Sequence, residues 1–179
     1  MQYHVPYGQG EITFELPAGM RGQLAVSRVV PPLANPPAAV REALANPIGS
    51  PRLRDMARPG ASVCIVFTDI TRASPDELLV SAILDELHAA GVRDEDITLL
   101  CAIGMHRPST QDEKIAKLGP AIVGRYRVLD HTPRDPANLV EMGTTDAGVP
   151  MVANRLAFDA DLLIATGLVG PHQHAGYSG

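Results

Sequence analysis

Aromatic side chains are scarce in this 179-residue sequence, which has no tryptophan, three phenylalanines and four tyrosines. The core must therefore consist mainly of valine, leucine, isoleucine and alanine, within the 45% of residues that are hydrophobic. Glycine and proline are plentiful instead, at 16 residues each, so the chain must turn often. This composition is typical of a loop-rich α/β domain whose loops carry the function.

Positive charge and long apolar runs are also in short supply. The 15 lysines and arginines are outnumbered by 20 aspartates and glutamates, whereas nucleic-acid-binding proteins normally carry a basic stripe. The longest apolar run, residues 162–169, has the length of a strand and is far below the roughly 20 residues that span a bilayer. The N-terminus lacks a signal-peptide pattern. We therefore expect a cytoplasmic protein without nucleic-acid or membrane partners.

Cysteines are few, and two common nucleotide-binding motifs are absent. Cys64 and Cys101 are the two cysteines, and both lie in strand-like apolar runs, which favours free buried thiols over a disulfide. The sequence has neither the G-x-G-x-x-G turn of dinucleotide-binding folds nor a P-loop. Function must therefore reside in other loops.

Strands and helices alternate through most of the chain. The sequence predicts an N-terminal β-hairpin around residues 7–10, an extended piece at 23–30, short helices at 36–45 and 50–57, buried strands at 61–67, 97–103 and 161–166, and short strands at 127–130, 139–142 and 151–153. This order predicts an α/β fold with a mostly parallel sheet and flanking helices, Rossmann-like but without G-x-G-x-x-G. We expect residues 1–60 to pack on an α/β catalytic core at residues 61–179.

Two helices have a capping-box pattern at their N-termini. Ser74 precedes Glu77 by three residues, and Thr110 precedes Glu113 by the same spacing. The second of these helices is expected to end near Leu118. Both helices follow directly on polar loops.

Three polar loops follow three buried strands. They are Thr68-Asp69-Ile70-Thr71-Arg72, Gly104-Met105-His106-Arg107-Pro108 and Gly170-Pro171-His172-Gln173-His174. Ligands of open parallel sheets bind outside the carboxyl ends of the strands, so the three loops are expected to share one crevice. Recurrence at one topological position is more informative than any single loop.

Each polar residue also has a structural interpretation. Asp69 can begin a turn, and Thr71 can join Ser74 in capping the following helix. Arg72 pairs poorly with the positive end of a helix dipole, which suggests an anion bound between them, either a phosphate or a substrate carboxylate. His106 alone would more often be an ordinary loop residue.

His172 and His174 are candidate metal ligands because imidazole binds many metals. On an extended segment, however, residues i and i+2 point to opposite sides. We therefore expect only one of the two rings to face the crevice.

Together these loops resemble the nickel-pincer-nucleotide lactate racemase family and its 2-hydroxyacid racemase and epimerase relatives. The resemblance is carried by 69–72 with Pro75, by 104–108 with Thr110, and by 171–179. The three segments stand in the family's order at comparable spacing. They cover the chain from Asp69 to its last residue.

The resemblance implies specific roles. Asp69, Ile70, Thr71 and Arg72 would contact the cofactor, a nickel pyridinium-3,5-bisthiocarboxylate mononucleotide, and Arg72 would also hold the substrate carboxylate. His106 and His172 would be the two acid/base residues on opposite faces of a small 2-hydroxyacid, with a hydride leaving C2 for the cofactor. Imidazole suits both roles because it titrates near neutral pH.

The chain also departs from the family. Ala73, Met105, Gln173 and His174 replace residues that are common around the substrate pocket, so the resemblance does not identify which 2-hydroxyacid is used. In the family, a cofactor-binding lysine, a nickel-binding histidine and a C-terminal domain follow the Ser-Gly motif. We therefore expect this chain alone to carry no covalent cofactor and to lack racemase activity, and we assign no metal ligand in it; whether it binds free metal or cofactor is left open. An oligomer is left open.

Two other functions fit the same residues. Asp69, His106, His172 and His174 are a donor set for zinc or manganese in a metal-dependent hydrolase or lyase. A non-catalytic domain that binds an anion through Arg72 and the adjacent helix terminus is the third alternative.

Overall fold

The computed structural model describes residues 2–25, 28 and 30–178. The chain forms two compact units, one up to Ala34 and one from Asn35 onward. The short helices that we grouped with the N-terminal segment lie in the second unit. The division into domains at residues 60 and 61 stays a prediction.

The first unit contains the predicted β-hairpin. Strands β1 (Gln2–Tyr7) and β2 (Gly10–Glu15) pair antiparallel from Gln2↔Glu15 to Tyr7↔Gly10. Gly8, at the first position of the two-residue turn, has φ +60°, as the primed hairpin turns require. The extended piece predicted at 23–30 falls partly outside the described residues, and no strand is found at 23–25.

The second unit has the α/β architecture that the alternation predicts. Its elements are α1 (Pro36–Ala45), α2 (Leu53–Met56), β3 (Val63–Phe67), α3 (Asp76–Ala89), β4 (Ile97–Cys101), α4 (Gln111–Arg125), β5 (Arg127–Asp130), β6 (Leu139–Thr144), β7 (Pro150–Asn154), α5 (Arg155–Phe158), β8 (Leu162–Ala165), β9 (Gly170–His172) and β10 (Gly176–Ser178). The predicted fold class is confirmed.

Four strands form the central parallel sheet in the order β5-β4-β3-β8. Val63 at the start of β3 pairs with Ile97 of β4 and with Leu162 of β8, so the three strands begin level with one another. Their carboxyl ends therefore lie at one edge of the sheet. The loops after β3, β4 and β8 leave from that edge.

The core lies where β3 and β4 pack against α3 and α4. Alternate residues of both strands face these helices, as expected for a sheet covered by crossover helices. The largest fully buried apolar side chains are Phe67, Ile65, Leu87, Ile97, Leu99, Leu118 and Val80. Cys64 and Cys101 are free and buried, and burial raises the pKa of each thiol to about 11, so neither is a reactive thiolate at neutral pH.

The capping box predicted at Ser74 and Glu77 is wrong. Helix α3 begins at Asp76 after Pro75, and its N-cap makes no side-chain hydrogen bond. The Ser74 hydroxyl instead donates to the Asp76 carboxylate at 3.1 Å. A carboxylate in the first turn outcompetes the backbone N–H groups for this hydroxyl.

The capping box predicted at Thr110 and Glu113 is confirmed. Thr110 Oγ1 accepts from the Glu113 amide at 3.2 Å, and Glu113 Oε2 accepts from the Thr110 amide at 2.9 Å. The helix extends beyond Leu118 but breaks at Gly119, where φ is +78° and ψ is 155°. Pro120 follows this break, and the second half of α4 continues to Arg125.

We expect Gly119→Ala to lower the free energy of unfolding by about 1–3 kcal/mol, since its backbone region is essentially restricted to glycine. An added Cβ would also meet the carboxylate end of the Glu77 side chain, which would have to move away. Equilibrium urea denaturation measures the loss. Gly124→Ala is the matched control, because that site in the same helix has open space and no positive φ. Equal losses at the two sites would contradict the explanation.

No helix among residues 2–25, 28 and 30–178 is long and apolar enough to cross a membrane.

Candidate functional site

The structure places the Asp69–Arg72 loop and His106 side by side at the carboxyl edge of the sheet. Asp69 follows β3 by two residues and is 6% exposed. Its Oδ1 accepts from the Thr71 hydroxyl at 2.6 Å and from the Thr71 amide at 3.2 Å, while its carbonyl accepts from the Arg72 amide at 3.1 Å. Asp69 therefore organises its own loop through a turn, and Thr71 does not cap α3.

Asp69 also binds the candidate catalytic histidine of the next loop. His106 Nδ1 lies 2.5 Å from Asp69 Oδ2, the carboxylate oxygen that Thr71 does not use. An ionised carboxylate only accepts, so Nδ1 of His106 carries the proton of this bond and the neutral ring keeps its lone pair at Nε2. The His106 side chain is 54% exposed, which leaves Nε2 available to a substrate.

Asp69 is ionised at neutral pH despite its burial. Burial is the largest single influence and raises the pKa of the carboxyl group, but the hydrogen bonds from Thr71 and His106 together outweigh it. The net effect is a pKa below the usual range. The carboxylate can therefore stabilise an imidazolium when His106 takes up a second proton.

A cavity of about 280 Å³ lies beside this pair. Its lining residues are Asp69, Ile70, Thr71, His106, Arg107, Ser109 and Glu113. Arg107 makes a bidentate ion pair with Glu113, with its shorter contact at 2.6 Å. This pair fastens the His106 loop to the first turn of α4.

The other end of the His106 loop is fastened to β5. Ser109 donates its amide to Asp130 Oδ2 at 3.2 Å, and Lys114 of α4 pairs with the same oxygen at 3.0 Å. Asp130, the last residue of the edge strand β5, thus joins that strand to the loop and to helix α4.

Glu113 makes the stability of the His106 loop and the first turn of α4 depend on pH. Its hydrogen bonds to Arg107 and Thr110 lower the pKa of its carboxyl group to about 2, from an ordinary 4.5. Because the folded-state pKa is the lower one, Glu113 contributes stability that is present above pH 4.5 and is lost as the pH falls through about 2. We expect the difference in unfolding free energy between the wild type and Glu113→Gln to shrink over that range.

Urea denaturation at a series of pH values measures this difference. Asp112→Asn, at an exposed position of the same turn, is the control. A difference that stays constant down to pH 2 would contradict the role assigned to Glu113.

Arg72 and Ile70 lie at the solvent side of the loop. Within the part of the chain that the structure describes, the Arg72 guanidinium makes no hydrogen bond and no ion pair, although its backbone is held at both the amide and the carbonyl. The first turn of the helix beside it already carries two carboxylates of the chain itself, Asp76 and Glu77. An anion that binds Arg72 therefore meets a free guanidinium beside a helix terminus that already carries negative charge.

His172 and His174 lie in the short hairpin formed by β9 and β10. A turn, not an extended segment, connects them, so the expectation that their rings point to opposite sides is wrong: the ring centroids are 5.9 Å apart. His172 Nδ1 accepts from the amides of His174 and Ala175 at 3.2 and 3.1 Å. Since amides only donate, the neutral His172 ring carries its proton at Nε2.

The described contacts of His172 stay within its own hairpin, and none joins it to Asp69 or His106. Nor do the described residues contain a group of three or more histidine, cysteine, aspartate or glutamate side chains placed to hold a metal ion. The structure therefore brings together Asp69, Thr71 and His106 of the predicted site. The four-residue metal site of the hydrolase alternative has no support in this arrangement.

A buried ion pair beside the site was missed from the sequence. Lys117 Nζ lies 2.6 Å from Asp76 Oδ2, and both residues are buried. Asp76 resembled an ordinary acidic residue of a helix first turn. The available signal was Lys117 itself, because the chain has only two lysines and this one sits beside the apolar Leu118.

Comparisons with known proteins agree with one another. The sequence model of the lactate racemase N-terminal domain family matches residues 7–179. The chain is similar to the lactate racemase of Thermoanaerobacterium thermosaccharolyticum, with 33% identity over 98% of this chain and 41% of that protein. It is also similar to the lactate racemase of Lactiplantibacillus plantarum, with 36% identity over 78% of this chain and 33% of that protein.

Solved structures show the same fold. The lactate racemase apoprotein from T. thermosaccharolyticum superposes with a TM-score of 0.82 at 34% identity, covering 100% of this chain and 42% of that one. A Thermotoga maritima protein superposes with a TM-score of 0.65 at 25% identity, covering 80% and 36%. The chain thus spans about two-fifths or less of the length of these relatives.

Proposed function

The chain belongs to the lactate racemase N-terminal domain family, and on that premise we propose that it supplies the proton-transfer residues of a 2-hydroxyacid racemase. The relatives are named lactate racemases. The broader substrate class, the residues and the cofactor are our proposal for this chain. The activity would belong to a whole protein in which a C-terminal domain accompanies this one.

The observation that carries the proposal is the Asp69–His106 pair at the carboxyl edge of the sheet. A carboxylate on Nδ1 leaves Nε2 as the basic atom, and it stabilises the imidazolium that forms when Nε2 takes the proton of the substrate 2-hydroxyl. The same imidazolium can return that proton in the opposite direction. His106 is therefore equipped for both directions that a racemase requires.

His172 is proposed as the second acid/base residue, on the other face of the substrate. With its proton at Nε2 it can donate a hydrogen bond to the substrate oxygen but cannot take up a proton there. To become a base at Nε2, the ring must carry its proton at Nδ1, which displaces the two amides of the turn. The exchange of roles at His172 thus requires a rearrangement of the β9–β10 turn.

Arg72 is proposed to hold the carboxylate of the substrate. Its guanidinium is exposed and makes no ion pair among the described residues, and a bidentate bond to a carboxylate would fix the orientation of C2. The amide and the carbonyl of Arg72 both make hydrogen bonds, so the position of the backbone from which its side chain extends is fixed.

The residues of this chain fit the organic part of a nickel-pincer nucleotide. The cavity of about 280 Å³ beside Asp69, Ile70 and Thr71 offers polar groups to a ribose or phosphate, and Arg72 offers a cation. When bound, that cofactor would supply a reversible hydride acceptor next to C2 of the substrate. Since the described residues hold no cluster of metal ligands, we propose that the nickel ligands belong to the remainder of the whole enzyme. This chain alone is then expected to lack covalent cofactor and activity.

The proposal also includes a cellular location and a small-molecule partner. We place it in the cytoplasm, because its two cysteines are free and buried, as is usual in a reducing compartment. A small 2-hydroxyacid is the expected partner.

Isotope retention tests the proposed reaction. The whole protein, loaded with cofactor, is incubated in D₂O with one enantiomer of lactate and then with other 2-hydroxyacids, and the products are separated by chiral chromatography. We expect a racemic mixture that keeps protium at C2, because a hydride that moves to a cofactor and back does not exchange with solvent. Deuterium at C2 would indicate proton abstraction instead, and no interconversion of any 2-hydroxyacid would refute the proposed activity.

A further inference from the structure

A buried ammonium lies under the loop that carries Asp69 and Arg72. Lys117 is 7% exposed, and its Nζ has four polar neighbours. One is Asp76 Oδ2 at 2.6 Å, and the other three belong to the loop: Thr68 Oγ1 at 3.0 Å, the Arg72 carbonyl at 3.0 Å and the Ser74 carbonyl at 3.2 Å. The loop therefore wraps around one cation, which holds its beginning, its middle and its end.

The partner carboxylate extends this arrangement to the neighbouring strand. Asp76 is 1% exposed and accepts from three hydroxyls: Thr68 at 2.5 Å, Ser74 at 3.1 Å and Thr166 at 2.8 Å. Thr166 is the first residue after β8, on the segment that leads to His172. The carboxylate thus joins the loop after β3 to the chain that leaves β8.

Stability alone does not explain this pair. Charges are costly to bury, and well-packed apolar residues often serve a core as well or better than an ion pair does. What an apolar pair cannot do is bind the Arg72 and Ser74 carbonyls and the Thr166 hydroxyl at fixed points. The contacts made by Lys117 and Asp76 determine where the loop lies.

We propose that Lys117 and Asp76 are positioning residues that hold the Asp69–Arg72 loop in register with His106 and with the segment leading to His172. The pair touches neither the cavity nor the His106 ring; it acts through the Arg72 and Ser74 carbonyls and through the hydroxyls of the loop. This inference rests on the proposed function of the loop, and it assigns a role to two residues that the reaction itself does not use.

The test is the paired variant Asp76→Asn/Lys117→Met in the whole enzyme, which removes both charges and leaves no unpaired buried ion. We expect a folded protein whose kcat/KM for the racemised 2-hydroxyacid falls about 10- to 100-fold, since misplacement of a reacting group by about 1 Å costs on the order of 10²-fold. The paired variant Arg93→Met/Asp96→Asn removes an exposed ion pair remote from the loop and is expected to keep the wild-type kcat/KM.

A second readout does not require activity. The hydrogen bonds from Thr71 and His106 hold the pKa of the Asp69 carboxyl group below its usual range. If the loop loses its support, that pKa should rise toward the ordinary value, and ¹³C NMR of the labelled carboxyl group follows it in this 179-residue chain. If the wild-type enzyme racemises nothing, the proposed function fails, and the Asp69 pKa still decides whether Lys117 and Asp76 position the loop.

Should the paired variant fail to fold, Thr166→Val removes the bond from the Thr166 hydroxyl to Asp76 together with its longer bond, at 3.4 Å, to the Val66 carbonyl, and leaves the Lys117–Asp76 pair in place. We expect it to fold and to lose about tenfold in kcat/KM, the size of one hydrogen bond to a charged group. Thr98→Val, at a half-buried site of β4, is its control. Folded variants with wild-type kcat/KM and an unchanged Asp69 pKa would overturn the proposal.

Discussion

Replacement of His106 by alanine is expected to lower kcat/KM of the whole racemase by about 10²–10⁴-fold, the usual contribution of a general acid–base residue. His106 can act as a general acid and base because Asp69 binds its Nδ1 and leaves its Nε2 without a partner. Loss of the imidazole removes both the base that takes the hydroxyl proton and the acid that returns it.

The two directions of the reaction provide an internal check. Enantiomers have equal free energies in water, so the ratio of kcat/KM for the two must stay at one in every variant. His106→Ala should therefore reduce both directions by the same factor, as measured by chiral chromatography from either enantiomer. His4→Ala, in the N-terminal hairpin, is the control for loss of a histidine. Wild-type rates in His106→Ala would remove His106 from the mechanism.

Replacement of Lys117 by methionine is expected to lower the free energy of unfolding by about 3–5 kcal/mol. Methionine fills similar space, but it leaves the Asp76 carboxylate buried without its cation, and it leaves the Arg72 and Ser74 carbonyls without a donor. An unpaired buried charge costs more than the intact pair contributes. This is the largest stability effect that we expect from a single substitution in α4.

Equilibrium urea denaturation measures this loss, with Arg127→Met as the control. Arg127 is exposed on β5, so its replacement changes the net charge equally without uncovering a buried partner. A Lys117→Met variant within about 1 kcal/mol of the wild type would show that Asp76 is accommodated by its hydroxyl partners alone, below the range expected for a broken buried pair.

Local patterns in the sequence predicted the scaffold and the first part of the site. Apolar runs of strand length alternating with helices predicted the parallel sheet, and the sheet order then placed two polar loops at one edge. The capping box at Thr110 and Glu113 was predictable because its partners are three residues apart and nothing else competes for them. Ser74 and Glu77 have the same spacing, yet Asp76 takes the Ser74 hydroxyl instead.

Spatial neighbours explain the other differences. The expected geometry of His172 and His174 assumed an extended chain, but a hairpin turn brings the rings together. Helix α4 was expected to end near Leu118, and it does break at Gly119, but its second half continues because Ile122 and Tyr126 join the core. In both cases the local sequence allowed more than one conformation, and a turn or a contact with residues distant in sequence determined which one formed.

The sequence determined the α/β class, the family, and the residue types at the sheet edge, because hydrophobic periodicity and short motifs are local properties. Only the tertiary structure decided that Asp69 pairs with His106, 37 residues away, and that Lys117 pairs with Asp76 beneath the same loop. The physical reason is that a buried charged group must lie close in space to an opposite charge or a hydrogen-bond partner. The spacing of residues along the chain does not contain that distance until the sheet has brought the loops together.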